Sequence, residues 1–340
     1  MGKKKILVTG GTGYIGSHTV VELIKEGFEV VIIDDLSNSE MEVISRIEKI
    51  TGIKPQFYQF DLCDSAKLTS FFKENNDIDG IIHFAAFKAV GESVEHPVKY
   101  YKNNLLSLMN VLDELNECAS KNLVFSSSCT VYGQPDKLPV TEDAPLKNAE
   151  SPYGNTKKIC EEILQDCCKA AKELNVISLR YFNPVGAHDT ALIGELPKGV
   201  PNNLIPFITQ TGADILPELK VFGDDYDTED GTAIRDYIHV VDLAKAHIAA
   251  VKRLLSRASD NNYEHFNVGT GNGYSVLNII NSFEKVSGKP LNYKIVDRRP
   301  GDIEKIYAET DLANQKLEWK ASRDLENMLA SAWKWQQSLK

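Results

Sequence analysis

Tyr153 and Lys157 stand four residues apart in Ser151-Pro152-Tyr153-Gly154-Asn155-Thr156-Lys157. On a helix, positions i and i+4 share a face, so the lysine ammonium can sit near the phenol and favour its ionised form. A free tyrosine ionises near about 10 and a lysine near about 10.4, so a positive neighbourhood must pull the phenol toward neutrality before it can take a proton from an alcohol. Ser128 ends the run Ser126-Ser127-Ser128, at what reads as the carboxyl end of a strand, where a hydroxyl could reach the same oxygen. The three residues form a candidate proton-transfer set. The tyrosine–lysine spacing alone would be met by any structural pair on a helix.

A second motif gives the set a setting. Lys3 to Val8 reads as a strand and Tyr14 to Glu26 as an amphipathic helix, so Thr9-Gly10-Gly11-Thr12-Gly13-Tyr14-Ile15-Gly16 occupies the turn between them. Gly10 permits a tight turn, Gly13 close approach of a pyrophosphate, and Gly16 close packing of helix on strand, while the first helical N–H groups face the phosphate. The spacing differs by one residue from the usual dinucleotide fingerprint. An apolar second strand, Glu29 to Ile33, leads to Asp34, 18 residues after Gly16, where a carboxylate can accept both adenosine ribose hydroxyls. Asp34 would repel a 2′-phosphate, and Asp35-Leu36-Ser37-Asn38 offers no arginine, so the cofactor expected is NAD and not NADP.

The chain has 340 residues, 42% hydrophobic and 25% charged, which suits a globular protein with two lobes. Its net charge of −10 argues against nucleic-acid binding. No apolar run approaches the roughly 20 residues of a membrane span, and the basic start lacks a signal-peptide core. Six cysteines without Cys-x-x-Cys spacing and seven scattered histidines point to no disulfide framework and no metal site. A cytoplasmic location is expected.

Short apolar or β-branched runs at 56–60, 80–84, 121–125 and 176–180 alternate with helical stretches at 65–74, 98–117 and 152–174, which predicts a doubly wound parallel α/β sheet of Rossmann type. Ligands bind such sheets beyond the strand carboxyl ends, where Gly10, Asp34, Asp61, Phe84, Ser126 to Ser128 and Asn183 fall. From Asn183 the chain becomes rich in Pro and Gly. Residues 1–182 are read as the dinucleotide-binding domain and 183–340 as a smaller mixed substrate lobe, with part of 238–268 returning to the main sheet. Ile238 to Leu255 reads as one long helix, and Leu325 to Trp335 as a closing helix.

The glycine turn, Asp61, the Ser126-Ser127-Ser128 strand end and the Tyr153/Lys157 pair resemble the extended short-chain dehydrogenase/reductase family. Four longer segments, His83 to Ser93, Arg180 to His188, Pro201 to Leu204 and Asp230 to Val240, resemble the UDP-hexose 4-epimerases within it, nearly end to end. The resemblance implies reversible epimerisation at C4 of UDP-glucose and UDP-galactose through a 4-keto sugar, with tightly bound NAD. It implies that Ser128, Tyr153 and Lys157 are catalytic. It places Gly10, Gly13, Tyr14, Ile15, Gly16, Asp34, Asn38, Asp61, Leu62, Phe84, Ala85, Lys88, Asn103, Ser126 and Phe182 at the cofactor. Asn183, Asn203, Leu204, Phe222, Arg235, Arg299, Asp302 and Ile306 would hold the UDP-sugar, and helices 98–117 and 152–174 would form a homodimer seam.

Two residues depart from the family pattern. Cys129 replaces the usual alanine and reads as a small buried residue. Ile306 stands where these epimerases carry either a bulky tyrosine or a small residue that admits an N-acetyl group. The alternatives are epimerisation of UDP-N-acetylhexosamines or UDP-pentoses, a nucleotide-sugar dehydrogenase or reductase, and a non-catalytic NAD sensor. Dehydration lacks its Asp-Glu pair, since Cys129-Thr130 follows Ser128.

Overall fold

A computed structural model describes residues 2–118, 120–259, 261–299 and 302–339. Seven parallel strands form the central sheet. β1 (Lys5–Thr9), β2 (Glu29–Asp34), β3 (Gln56–Gln59), β4 (Gly80–His83), β5 (Asn122–Ser126) and β6 (Asn175–Tyr181) are joined by the strand Tyr263–Val268. Their order is Tyr263–Val268, β6, β5, β4, β1, β2, β3. Strands such as Ile6-Leu7-Val8 and Val30-Val31-Ile32-Ile33 are apolar on both faces because helices cover both. One face packs on the helices Tyr14–Lys25 and Val240–Leu255, and the other on Ser65–Glu74, Pro97–Glu117 and Pro152–Ala170.

The C-terminal lobe holds short strands instead of one broad sheet. Ile234–His239 pairs with Gly273–Ser275, Lys305–Ile306 and Asn183–Val185, and Leu219–Phe222 pairs with Tyr293–Val296. The expected long helix from Ile238 therefore begins later. Ile234–His239 is a strand whose last residue caps the helix Val240–Leu255, the His239 imidazole accepting from Val241 N–H at 3.1 Å. β-branched pairing outweighs helical periodicity there. The helix expected to end at Leu174 stops at Ala170. The helices Glu42–Thr51, Leu204–Gly212 and Val276–Ser287 had no assignment from sequence. The closing helix Leu325–Ser338 packs its Leu325, Met328, Leu329 and Trp333 against the last two of these. Among the described residues no helix is long and apolar enough to cross a membrane.

Four histidines are sealed into this core. Burial holds His18, His83 and His239 down to about 3 and His247 down to about 4. The unfolded chain takes up protons at these sites below about pH 6.5 while the folded chain does not, so stability present above that pH is lost as pH falls toward 4. Each site contributes a slope of up to roughly 1.4 kcal/mol per pH unit. Carboxylates titrate mostly lower. Urea midpoints should therefore fall between pH 7 and pH 5; equal midpoints would mean that these imidazoles protonate without unfolding.

Candidate active site

The carboxyl ends of the strands open into one cleft of about 1260 Å³, lined by both lobes. At its floor the first turn of the chain is tightly specified. Gly10 has φ +70°, and a Cβ there would lie 2.8 Å from Ala85 N; a Cβ on Gly16 would lie 2.2 Å from Gly10 O. Both positions are closed to larger residues by packing. Gly13 is different, since a Cβ there would meet only Gly10 O, at 3.3 Å. Protein packing presses less on that position than a ligand on the backbone would. Gly13 also caps the helix Tyr14–Lys25 without a side chain, so no side-chain cap competes for the N–H groups of Tyr14, Ile15 and Gly16. This is a fitting cradle for a dinucleotide phosphate.

Asp34, at the end of β2, is held in place from within. Its Oδ2 accepts from Thr12 N–H at 3.1 Å, and its Oδ1 accepts from Leu36 N–H at 3.0 Å and Ser39 Oγ at 3.2 Å. The carboxylate is thereby fixed against the glycine turn at the mouth where a ribose would lie. Asn38, Asp61, Leu62, Phe84, Ala85, Lys88, Asn103 and Ser126 line the same cleft.

Tyr153 and Lys157 sit in the first two turns of the helix Pro152–Ala170. Ser151 caps it by accepting from Gly154 N–H at 3.1 Å, and Pro152 fits its first position. Tyr153 is 7% exposed and Lys157 3%. Lys157 Nζ donates to Ser126 O at 2.7 Å and lies 4.8 Å from the Phe125 ring centroid. Burial pushes its ammonium down to about 8, with Cys160 and Glu161 acting to raise it. Burial raises the Tyr153 phenol well above its ordinary value; Tyr181 adds to this, and the Ser128 hydroxyl opposes it. The lysine's ammonium is thus directed at a backbone carbonyl, and it is Ser128 that draws the phenol downward in the protein alone. Ser128 lies two residues past β5, where it caps a 3₁₀ turn at Cys129–Tyr132 by accepting from Thr130 N–H.

Two of the expected residues stand behind the cleft wall. Ser128 reaches the site through Tyr153, and Phe182 is buried in a cluster with Cys129, Val131, Tyr132, Val140 and Ile306. The aromatic ring of Phe182 packs under the pocket because the chain turns from β6 into the strand Asn183–Val185 at that point. Cys129 lines the cleft as a buried thiol that burial pushes up to about 12, which makes it an unreactive wall.

On the C-terminal side, Asn183, Asn203, Leu204, Phe222, Arg235, Arg299, Asp302 and Ile306 all face the opening. Arg235 donates to Ile234 O at 2.9 Å and Glu304 O at 3.4 Å. Its neighbour Asp236 is used elsewhere, accepting from Thr270, Gly271 and Ala308 N–H groups. Arg299 forms a forked pair with Asp302 at 3.1 and 3.2 Å and lies 5.1 Å from the Phe222 ring centroid. Glu195 carries no sequence signal of a site. Its carboxylate accepts from Lys88 Nζ at 3.4 Å and Asn203 Nδ2 at 2.6 Å, joining the two sides. It stands in an irregular loop with no periodic pattern around it, and only the fold brings its partners together. Among the described residues no cluster of His, Cys, Asp or Glu could hold a metal ion.

A parallel sheet with a glycine cradle and a buried Ser/Tyr/Lys set defines a dinucleotide-dependent enzyme of the extended short-chain dehydrogenase/reductase class. The chain belongs to the NAD dependent epimerase/dehydratase family, whose model matches residues 6–269. It is 51% identical over 333 residues to the UDP-glucose 4-epimerase of Bacillus subtilis (strain 168), covering 98% of this chain and 97% of that protein. The crystal structure of UDP-glucose 4-epimerase from Bifidobacterium longum in complex with NAD+ and UDP superposes with a TM-score of 0.94 at 46% identity, covering 98% of each chain. The enzyme from Stenotrophomonas maltophila, with bound NAD and formylated UDP-arabinopyranose, gives 0.95 at 47% identity over 99% of this chain and 98% of that one.

Proposed function

We propose that this enzyme inverts C4 of a UDP-hexose, interconverting UDP-glucose and UDP-galactose through a 4-keto sugar. The observation that carries the reading is Tyr153, a buried phenol facing the cleft that the glycine cradle, Asp34 and the two arginines share. NAD, when bound, would supply the hydride acceptor and donor for C4. Tyr153 takes the 4-hydroxyl proton as that bond is oxidised and gives it back when the opposite face is reduced, so the sugar suffers no net change in oxidation state. The Ser128 hydroxyl acts to lower the phenol's pKa, and Lys157 stands one turn along the same helix face. Glycine-turn N–H groups and Asp34 suit the cofactor's phosphates and ribose. Arg235 and Arg299 suit a diphosphate because guanidinium groups make charge-assisted contacts to it. A sugar anchored only through its nucleotide has room to turn in a cleft of about 1260 Å³.

In this reading residues 1–182 serve the cofactor and residues 183–340 the sugar nucleotide. A reducing, cytoplasmic setting is consistent with six cysteines that show no Cys-x-x-Cys spacing. The enzyme works as a homodimer joined through the helices Pro97–Glu117 and Pro152–Ala170, a reading supported by Val98, Leu106 and Met109, which recur at helical spacing and stay exposed. Sedimentation at micromolar concentration should give twice the chain mass of 37.9 kDa, and a monomer mass would remove the seam.

The function is tested by denaturing the purified protein and by turnover. Stoichiometric NAD should be released, and UDP-galactose should yield UDP-glucose without added cofactor. Tyr153→Phe should keep fold and NAD while losing at least roughly 10²-fold in kcat. A folded variant with near-normal turnover would exclude Tyr153 as the base.

Ile306 supports a restricted substrate range. It is 2% exposed, packs with Cys129 and Phe182, and its β-branched side chain is stiff at χ1, so it cannot readily swing aside. UDP-glucose and UDP-galactose should be the main pair, with slow turnover of N-acetylated sugars that Ile306→Gly raises and Ile306→Tyr abolishes. Comparing kcat/KM for both sugar pairs reads the difference in transition-state binding. The same ratio in all three proteins would place residue 306 outside the sugar subsite.

A further inference from the structure

Three helical residues spaced by four meet three consecutive serines. Tyr153, Lys157 and Glu161 lie along one face of the helix Pro152–Ala170. Ser128 acts on Tyr153, Ser126 O receives Lys157 Nζ at 2.7 Å, and Ser127 Oγ donates to Glu161 Oε1 at 2.5 Å. The first two contacts belong to the site described above. The third does not, because neither Ser127 nor Glu161 lines the cleft.

Glu161 is wholly buried, and Arg180 on β6 grips both its oxygens, with Nε at 3.0 and 3.2 Å and Nη2 at 2.6 Å. Arg180 Nη1 continues to Tyr132 Oη at 3.0 Å and Glu142 O at 3.2 Å, and Tyr132 Oη donates to Asn267 Oδ1 at 2.7 Å. A saturated buried ion pair of this kind adds little stability over apolar packing of the same volume, so stability is a weak reason for it. Geometry is a stronger one. The ladder between β5 and β6 ends at Ser126 paired with Leu179, so sheet pairing no longer holds Ser127 and Ser128. Local turn bonds remain, Ser127 N–H to Phe125 O and Val131 N–H to Ser128 O, but neither reaches the helix, so side-chain bonds set their place against it.

We propose that the Ser127–Glu161–Arg180 chain is a positioning device that holds the Ser126–Ser128 segment in register with the Tyr153 helix, keeping the Ser128 hydroxyl on the Tyr153 side of that segment. The inference rests on the proton-transfer role given to those two residues. Glu161 also lies one turn from Lys157 and favours its charged form. The other ionisable groups facing Tyr153 are Tyr181, Cys129 and Tyr100, and the substitutions below leave all of them in place.

Ser127→Ala in the full-length, NAD-loaded enzyme removes one buried hydroxyl and leaves the Glu161–Arg180 pair intact. NAD content and the KM for UDP-galactose should stay within about twofold, while kcat falls about tenfold or more, as a small misplacement of reacting groups costs. The loss should be larger at pH 7 than at pH 9, because a phenol released from Ser128 ionises later. Glu161→Gln, which keeps the shape and removes the charge, should show the same loss confined to kcat. A folded, NAD-loaded Ser127→Ala with wild-type kcat, or a loss identical at both pH values in both variants, would overturn the proposal. Failure of the functional reading is distinguishable: the wild type would not epimerise UDP-galactose, or Tyr153→Phe would remain fully active.

Discussion

A buried ammonium is the constraint around which the site is built. Lys157 is 3% exposed, and an uncompensated charge at that depth would cost several kcal/mol. The Ser126 carbonyl and the Phe125 ring face relieve that cost, and both lie at the end of β5. The helix must therefore pack with this face against that strand end, which brings Tyr153 one turn earlier beside Ser128. The position of the proposed proton-transfer pair follows from where the lysine can be satisfied. Burial also sets the chemistry, since it raises the phenol and lowers the ammonium, so that the two pKa values depart in opposite directions from solution values that are nearly equal.

The cleft itself is a product of the two lobes gripping one another. Tyr14, at the end of the glycine turn, donates its hydroxyl to Gly186 O at 2.7 Å, and Lys198 Nζ donates to Ser37 O at 2.8 Å. Glu195 in turn holds Lys88 from one lobe and Asn203 from the other. A carboxylate occupies the ground between two expected anion-binding sides, so Lys88 is already oriented and partly neutralised there. The return strand Tyr263–Val268 beside β6 adds a covalent reason for the lobes to move as neighbours.

Much of this was legible in the sequence because it rests on local rules. The glycine turn, the apolar strand before it and Asp34 after it follow from backbone conformation and periodicity; Gly10 is required by its φ of +70° and Gly16 by Gly10 O within the same short loop. The i, i+4 spacing of Tyr153 and Lys157 places them on one helix face whatever the fold. The family resemblance extended this to residues such as Arg235 and Arg299, whose chemistry is plain but which only folding brings to the same cleft.

Tertiary structure decided what depends on contacts across the chain. It made Ile234–His239 a strand, since three other segments pair with it, although its sequence runs on into a helical pattern. It buried Phe182 beneath the pocket, directed Lys157 at a carbonyl, and gave Glu195 two partners from opposite sides. Ser127, Glu161, Arg180 and Tyr132 are four unremarkable residues until folding stacks them behind Ser128. Sequence spacing fixes which side chains share a face, and only long-range packing fixes what that face meets and how dry it becomes.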